Sequence, residues 1–262
     1  VESFCLPPSD APEWALDPQE LWAVAEAAER RKDSTVAREF EVSLPQELSD
    51  EQRAHLAFSL ADALVDRYGF AVQASIHAPG TPDGLNHHVH ILATTRRVGP
   101  DGFGDKTREL DVGPSGKVQV HWIREMVAAT TNAHLEAAGF TSTIDHRSLA
   151  EQARSAMERG DDLAAAALSR EPTQHSGKRA SALAGKGVAT DRASTNEQIA
   201  EDNQEHYDYL VLKAGLEGKP VPVPDQEPAK RRGRVLNSDT AGLPSGLEMR
   251  GVSGVRLQHV LL

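Results

Sequence analysis

The chain has 262 residues, with 39 acidic and 28 basic side chains and a formal net charge of −11. This length allows one sizeable domain with additional segments, and the acidic balance argues against a general nucleic-acid binder, so any contact with DNA must come from a local basic surface. The single cysteine, Cys5, excludes an internal disulfide framework. No apolar run is long enough to cross a bilayer, and the opening residues lack the layout of a signal peptide. We therefore expect a cytoplasmic protein.

The first part of the chain predicts alternating helices and strands. Asp17 is a suitable N-cap for a first helix, and Ser49 for a second that ends at Gly69. Strands follow from alternating apolar residues or short apolar runs. In chain order the segments are a helix in "ALDPQELWAVAEAAERRKDS", a strand in "VAREFEVSLP", a helix in "SDEQRAHLAFSLADALVDRYG", a strand in "FAVQASIH", a turn-rich loop in "APGTPDGLN" and a strand in "HHVHILATTRR".

The next segments are a hairpin or irregular loop in "VGPDGFGDKTREL", a third amphipathic helix ending at Gly139, and a turn followed by helix in "STIDHRSLAEQARSAMERG". A polar helix is predicted in "STNEQIAEDNQEHYDYLVLKAG", and a linker with a basic cluster in "KPVPVPDQEPAKRRGR". This order predicts an α/β or α+β layer with an antiparallel sheet, helices on one face and an open face opposite, and of the two we expect the α+β class with the sheet at its centre. We expect a domain over residues 1–177, a helical extension over 178–217, and a linker and disordered tail over 218–262.

Three histidines fall within four residues, in "HHVH" at the start of the third strand. Residues two apart share one face of a strand, so His88 and His90 project together while His87 points to the other side. His77 ends the preceding strand and supplies a third imidazole if the two strands are antiparallel neighbours. Such a set suits a catalytic divalent ion with open coordination positions. The alternative is a polar strand face that binds no metal.

Two glutamates, Glu39 and Glu41, share the polar face of the first predicted strand. If that strand joins the same sheet, the carboxylates line the same open surface as the histidines. There they can orient a metal-bound histidine, accept a proton or bind the ion. A solvated strand face is the alternative for each of them.

Seven segments, in order, resemble the MobA/MobL family of plasmid mobilisation relaxases, which are HUH endonucleases. The resemblance extends from about residue 3 to about residue 177, and its segments are "LPPSDAPEWALDPQELW", "AEAAERRKDSTVAREFEVSLP", "NHHVHILATTR", "DKTRELD", "HWIREMVAATTNAHLEAAG", "DHRSLAEQ" and "REPTQHSG". It implies an antiparallel sheet with helices on one face and the active site on the other, and a bacterial cytoplasmic protein. It also implies that His77, His88 and His90 bind Mg²⁺ or Mn²⁺.

The resemblance further implies a substrate and a nucleophile. In such relaxases a tyrosine near the N-terminus attacks one phosphodiester of single-stranded DNA at the plasmid transfer origin, and relaxosome accessory proteins are candidates for further partners. That tyrosine normally precedes the segment "LPPSDAPEW" by several tens of residues. The tyrosines of this chain are Tyr68, Tyr207 and Tyr209, and none matches that position. We therefore interpret the chain as a fragment or a decayed copy of a relaxase that keeps its metal centre.

Basic residues around the histidines are candidates for contact with the DNA backbone. They are Arg38, Arg96, Arg97, Lys106, Arg108 and Arg147. A solvated or ion-paired structural role is the alternative for each. Two further functional readings stay open: another metal-dependent phosphoesterase that uses the same histidines with activated water, and a non-catalytic protein that binds the origin or a relaxosome partner.

Overall fold

The computed structural model describes residues 2–77, 86–174, 183, 188 and 190–219. Within these residues the chain divides into two compact units, one ending at His146 and the other beginning at Arg147. The predicted domain boundaries after residues 177 and 217 stay predictions. The predicted linker and tail lie almost entirely outside the described residues, as does most of the turn-rich loop before His87. Among the helices of the described residues, none combines the length and hydrophobicity needed to cross a membrane.

The first unit contains a five-stranded antiparallel sheet, which confirms the predicted fold class. Strand β4 pairs with β2 on one side, with β3 on the other, and with β5 through a hairpin, while β1 pairs with β3. The strands β1 and β5 are additions to the predicted set, although a hairpin had been one of the two readings for the β5 region. The bounds are β1 Glu2–Leu6, β2 Ala37–Ser43, β3 Phe70–His77, β4 His88–Gly99 and β5 Gly102–Lys106.

Three α-helices and two 3-10 turns complete the first unit. The helices are α1 Pro18–Ala27, α2 Asp50–Tyr68 and α3 Pro114–Ala137, and the 3-10 turns are Glu13–Leu16 and Arg108–Leu110. Asp17 caps α1, and Ser49 caps α2 in a capping box with Gln52. Gly69 ends α2 with a φ of 65°, a left-handed conformation that a residue with a Cβ rarely adopts. The chain then enters β3 without a loop.

The larger hydrophobic core lies between the sheet and the two long helices. Phe40, Val72 and Ile91 contribute to it from three adjacent strands, and leucines of α2 contribute from the helix side. A smaller core lies on the other face of the sheet, where Trp22 of α1 packs with Ala71 of β3 and Val98 of β4. The face opposite α2 and α3 is therefore covered by α1 at one end and carries the histidines at the other.

The second unit is helical. Its helices are α4 Leu149–Glu158, α5 Asp162–Leu168 and α6 Asp191–Glu217. The predicted polar helix corresponds to α6, and the predicted helix after "DHRS" corresponds to α4, which Ser148 caps. Helix α5 is an addition. Leu163 of α5 packs against Leu210 and Ala214 of α6 in a small core.

Candidate metal centre on the open face of the sheet

Three histidines meet on the two central strands of the sheet path β1–β3–β4–β2. His77 is the last residue of β3 and lies directly opposite His88, the first residue of β4. His90 lies two residues further along β4, so it shares the face of His88. Val89, which lies between them, packs into the helix-side core. The condition set for His77 is therefore met, since the strands of His77 and His88 are antiparallel neighbours.

The three imidazoles are close enough to share one ion. Each offers a ligand nitrogen, and these nitrogens all lie within 4.8 Å of one another. The ring centroid of His77 lies 5.2 Å from that of His88 and 4.5 Å from that of His90, and the centroids of His88 and His90 are 5.0 Å apart. As donors, three neutral imidazoles fit a divalent metal ion.

Two of the histidines are held by hydrogen bonds through Nδ1. The Nδ1 of His88 is 2.8 Å from the backbone carbonyl oxygen of Asn86, and the Nδ1 of His90 is 2.6 Å from Oε1 of Glu39. Both partners are acceptors, so each Nδ1 carries the proton and donates it. The Nε2 lone pair is then the one available to a metal. These contacts fix both the tautomer and the ring orientation before any ion binds.

The two predicted glutamates lie on β2 beside the triad. Glu41 is in register with His90, and Glu39 is in register with Leu92 but reaches back to His90. Both alternate with Phe40 and Val42, which face the helix-side core. The Glu39 side chain is 27 % exposed, so its hydrogen bond with His90 is only partly shielded from water. The site therefore extends over three adjacent strands.

The local electrostatics favour a neutral imidazole at His77. Burial lowers the pKa of His77 below its usual 6.5, and the neighbouring His90 and His88 lower it further, while Glu41 opposes the shift. A neutral imidazole keeps a lone pair on one ring nitrogen, which is the form that coordinates metal. His87 points towards the start of α2, where burial and Arg53 lower its pKa. Its position agrees with the prediction that His87 faces away from the triad.

Three of the predicted DNA-binding residues form ion pairs in which the cation is largely buried within the fold. Arg38 is 5 % exposed and binds Asp111 at 2.5 Å and the Thr107 hydroxyl at 2.5 Å. Arg96 and Lys106 bind the two oxygens of one carboxylate, Glu29, at 2.9 and 2.8 Å. These contacts match the structural alternative stated for such residues. Contact with DNA at these positions stays a prediction.

Arg38 also differs from the histidines in its side of the sheet. It is in register with Ala93 of β4, and Ala93 belongs to the helix-side core. The expectation that all the basic residues surround the histidines is therefore wrong for Arg38. Arg38 lies two residues from Phe40 on β2, so both side chains point to the helix-side face.

The remaining basic residues are more accessible. Arg97 forms an ion pair with Glu109, and Arg108 is 74 % exposed and forms one with Asp111 at 3.1 Å. Arg147 begins the second unit and is exposed, and its backbone carbonyl accepts a hydrogen bond from the Gln152 side chain.

Tyr68 lies away from the triad. Its ring packs among Phe70 and Trp122 in the helix-side core, and its hydroxyl is 3.0 Å from Oε1 of Gln119. The residue is 2 % exposed, and burial raises its pKa above the usual 10.0. Tyr68 therefore cannot present a phenolate to a ligand on the histidine face.

Two contributors to this face were not identified from the sequence. The Asn86 carbonyl orients His88, and Glu29 holds Arg96 and Lys106. A backbone acceptor leaves no signal in residue identity. Glu29 follows the last turn of α1, where a glutamate is indistinguishable from a solvated one in a single sequence. Their partners are fixed by tertiary packing that local patterns do not encode.

The model of the MobA/MobL family matches residues 1–186. Among curated proteins, the chain is similar to "Mobilization protein MobL" of Acidithiobacillus ferridurans, with 36% identity over 194 residues that cover 64% of this chain and 48% of that protein. It is also similar to "Mobilization protein A" of Escherichia coli, with 27% identity over 254 residues that cover 90% of this chain and 32% of that protein. The chain thus spans about half the length, or less, of these relatives.

A solved structure titled "Molecular Basis of Vancomycin Resistance Transfer in Staphylococcus aureus" shares 28% sequence identity with the chain. The superposition has a TM-score of 0.49 and covers 56% of this chain and 76% of that chain.

Proposed function

Because the chain belongs to the MobA/MobL family, we propose that it acts on single-stranded DNA at a plasmid transfer origin, as the metal-binding part of a mobilisation relaxase. Mg²⁺ or Mn²⁺ would be held by His77, His88 and His90. The observation that carries the proposal is the set of three ring nitrogens within 4.8 Å of one another on adjacent strand ends. The nicking activity and the partners of the whole protein are part of this proposal.

Each residue of the site has a distinct proposed role. A divalent ion held by the three histidines would supply positive charge to the scissile phosphate. Glu39 accepts the Nδ1 proton of His90 and so keeps Nε2 directed to the ligand position. The carbonyl of Asn86 does the same for His88. Glu41, in register with His90, adds negative charge beside the imidazoles, which strengthens cation binding.

The nucleophile would not be Tyr68. Covalent attack needs an oxygen within about 3.5 Å of phosphorus and in line with the leaving group. The Tyr68 hydroxyl is committed to Gln119 in the core on the opposite face. We propose that any strand cleavage by the described residues would use water as the nucleophile and would leave no protein-linked 5′ end.

The test uses a panel of single-stranded oligonucleotides from plasmid transfer origins, labelled at either end. We expect Mn²⁺ to increase the affinity of the chain for origin DNA at least tenfold, because a divalent cation held by the three histidines would add positive charge that attracts the phosphates. The double variant His88→Ala, His90→Ala should lose that increase. His87→Ala is the matched control, since it removes a neighbouring imidazole that faces the other way, and it should keep the increase.

Denaturing gels of the same reactions separate the alternatives. A non-catalytic origin-binding protein would bind with the same Mn²⁺ dependence and release no cleaved strand. Another phosphoesterase would respond equally to DNA of unrelated sequence. Equal Mn²⁺ stimulation in the wild type and the double variant would refute the metal role of the triad. A protein-linked band that disappears in Tyr68→Phe would refute the assignment of the active face.

A further inference from the structure

A second cluster of metal-binding side chains lies outside the sheet. His121 and Glu125 are four residues apart on α3, and therefore lie one above the other on the same side of the helix. His146, in the segment after α3, contributes the third group. The ligand atoms of these three residues all lie within 4.8 Å of one another, as they do in the triad on the sheet.

The position of His146 is fixed by the way the chain reverses after α3. Gly139, with a φ of 85°, lies two residues beyond the last residue of α3, and the Phe140 amide donates to the Leu135 carbonyl, so the chain turns back. The side chain of Asn132 then makes two hydrogen bonds to the backbone of Ile144, donating to its carbonyl at 2.9 Å and accepting from its amide at 2.8 Å. These bonds hold the returning segment against the helix two residues before His146.

The two imidazoles of this cluster are arranged like a pair in the triad. The ring centroids of His121 and His146 are 5.3 Å apart and their planes meet at 74°, whereas His77 and His88 are 5.2 Å apart at 70°. His121 and Glu125 are exposed. Water can therefore complete the coordination shell, and both side chains can adjust to a ligand without disturbing the core.

We propose that His121, Glu125 and His146 form a second metal site, selective for divalent transition ions such as Zn²⁺ or Ni²⁺. Two imidazoles and one carboxylate are a donor set that these ions prefer, whereas Mg²⁺ and Ca²⁺ prefer oxygen ligands. The bound ion would fasten the segment between Phe140 and His146 to α3. This assignment is independent of the function proposed for the triad.

The experiment removes the triad first, because its imidazoles also bind transition ions. Calorimetric titration of the full chain carrying His88→Ala and His90→Ala with Zn²⁺ should show one bound ion, since the second cluster remains. Adding His121→Ala or His146→Ala should weaken this binding at least tenfold, and Glu125→Gln should weaken it to a smaller extent. His55→Ala and Glu136→Gln, which change exposed groups on α2 and α3, are matched controls and should leave it unchanged.

A second readout reports on the segment itself. Phe140 is 38 % exposed, and Zn²⁺ should slow chymotrypsin cleavage after it severalfold in the triad-deficient chain. The protection should disappear in His121→Ala. His146→Gln serves as a second variant if His146→Ala loses its helical circular dichroism. The proposal is overturned if the triad-deficient chain binds no Zn²⁺, or if binding and protection survive His121→Ala.

Discussion

The two faces of the sheet are built from alternate residues of the same strands, but one face packs the hydrophobic core and the other presents the histidines. On β4, Val89 and Ile91 are fully buried beneath the helices, whereas His88 and His90 face the other way and find hydrogen-bond acceptors in Asn86 and Glu39. A slip of one residue would exchange the two sets. The apolar face thus sets the register, and the register aligns the imidazoles. The packing of one face therefore determines the ligand geometry of the other.

The face with the histidines is itself divided along its length. At the end away from them, the indole N–H of Trp22 donates to Oε1 of Gln73 at 2.6 Å, and α1 covers the sheet. At the other end, His77 and His90 remain partly exposed. The position of α1 therefore confines the accessible part of this face to the neighbourhood of the triad.

The largest expected effect comes from the buried face. Ile91→Ala removes a side chain with no exposed area in the centre of the core, so it should lower the free energy of unfolding by about 2–5 kcal/mol through lost burial and the cavity left behind. Chemical denaturation monitored by circular dichroism measures this. The matched variant is His90→Ala, one residue away on the opposite face. If His90→Ala destabilises the fold as much as Ile91→Ala, the claim that stability comes mainly from the apolar face is wrong.

An intermediate effect is expected for the residue that orients the site. Glu39→Gln keeps the shape of the side chain but replaces the charged acceptor of His90 Nδ1 with a neutral one. Loss of such a partner typically costs about 10–100-fold in metal affinity, and calorimetric titration with Mn²⁺ should show a decrease of this size. Glu136→Gln, an exposed change on α3, is the control. An unchanged Mn²⁺ affinity in Glu39→Gln would mean that Glu39 is only part of a polar strand face.

The alternation of β4 was enough to predict much of this arrangement. Successive side chains of a strand point to opposite faces, so in "HHVHILATTRR" Val89 and Ile91 lie on one face and His88 and His90 on the other. Because the two apolar residues are buried, the two histidines must occupy the opposite face. The N-caps of α1 and α2 could also be predicted from the sequence, because Asp17 and Ser49 accept hydrogen bonds from backbone amides only a few residues away. Interactions of this kind are local in sequence.

Contacts between distant residues could not be predicted in the same way. Strand β1 pairs with β3 at a separation of some seventy residues, and its sequence "ESFCL" is too short to show a decisive period. The ion pairs of Arg38, Arg96 and Lys106 depend on tertiary packing that brings Asp111 and Glu29 beside these strands. In a single sequence these cations look the same as cations that face solvent or DNA.

The cluster of Glu29, Arg96 and Lys106 gives the smallest expected effect and tests the structural role of the two cations. Burial raises the pKa of Glu29, but hydrogen bonds from Lys106 and Arg96 outweigh it, and the net pKa lies below its usual 4.5. The ionised carboxylate is therefore stabilised by folding. Because the folded pKa is depressed, this contribution is fully present above the unfolded pKa and is lost as the pH falls through the folded one.

We expect Glu29→Gln to lower the free energy of unfolding at pH 7 by about 1 kcal/mol, since Arg96 and Lys106 keep partial access to water and the pairs are weakened accordingly. The difference between wild type and variant should then shrink as the pH is lowered below 4.5, because protonation removes the same charge from the wild type. Urea denaturation at a series of pH values measures both quantities. Glu26→Gln, an exposed change on α1, should show neither effect. A difference that stays constant down to acid pH would show that the Glu29 charge does not hold the two cations, and would favour contact with DNA as the role of Arg96 and Lys106.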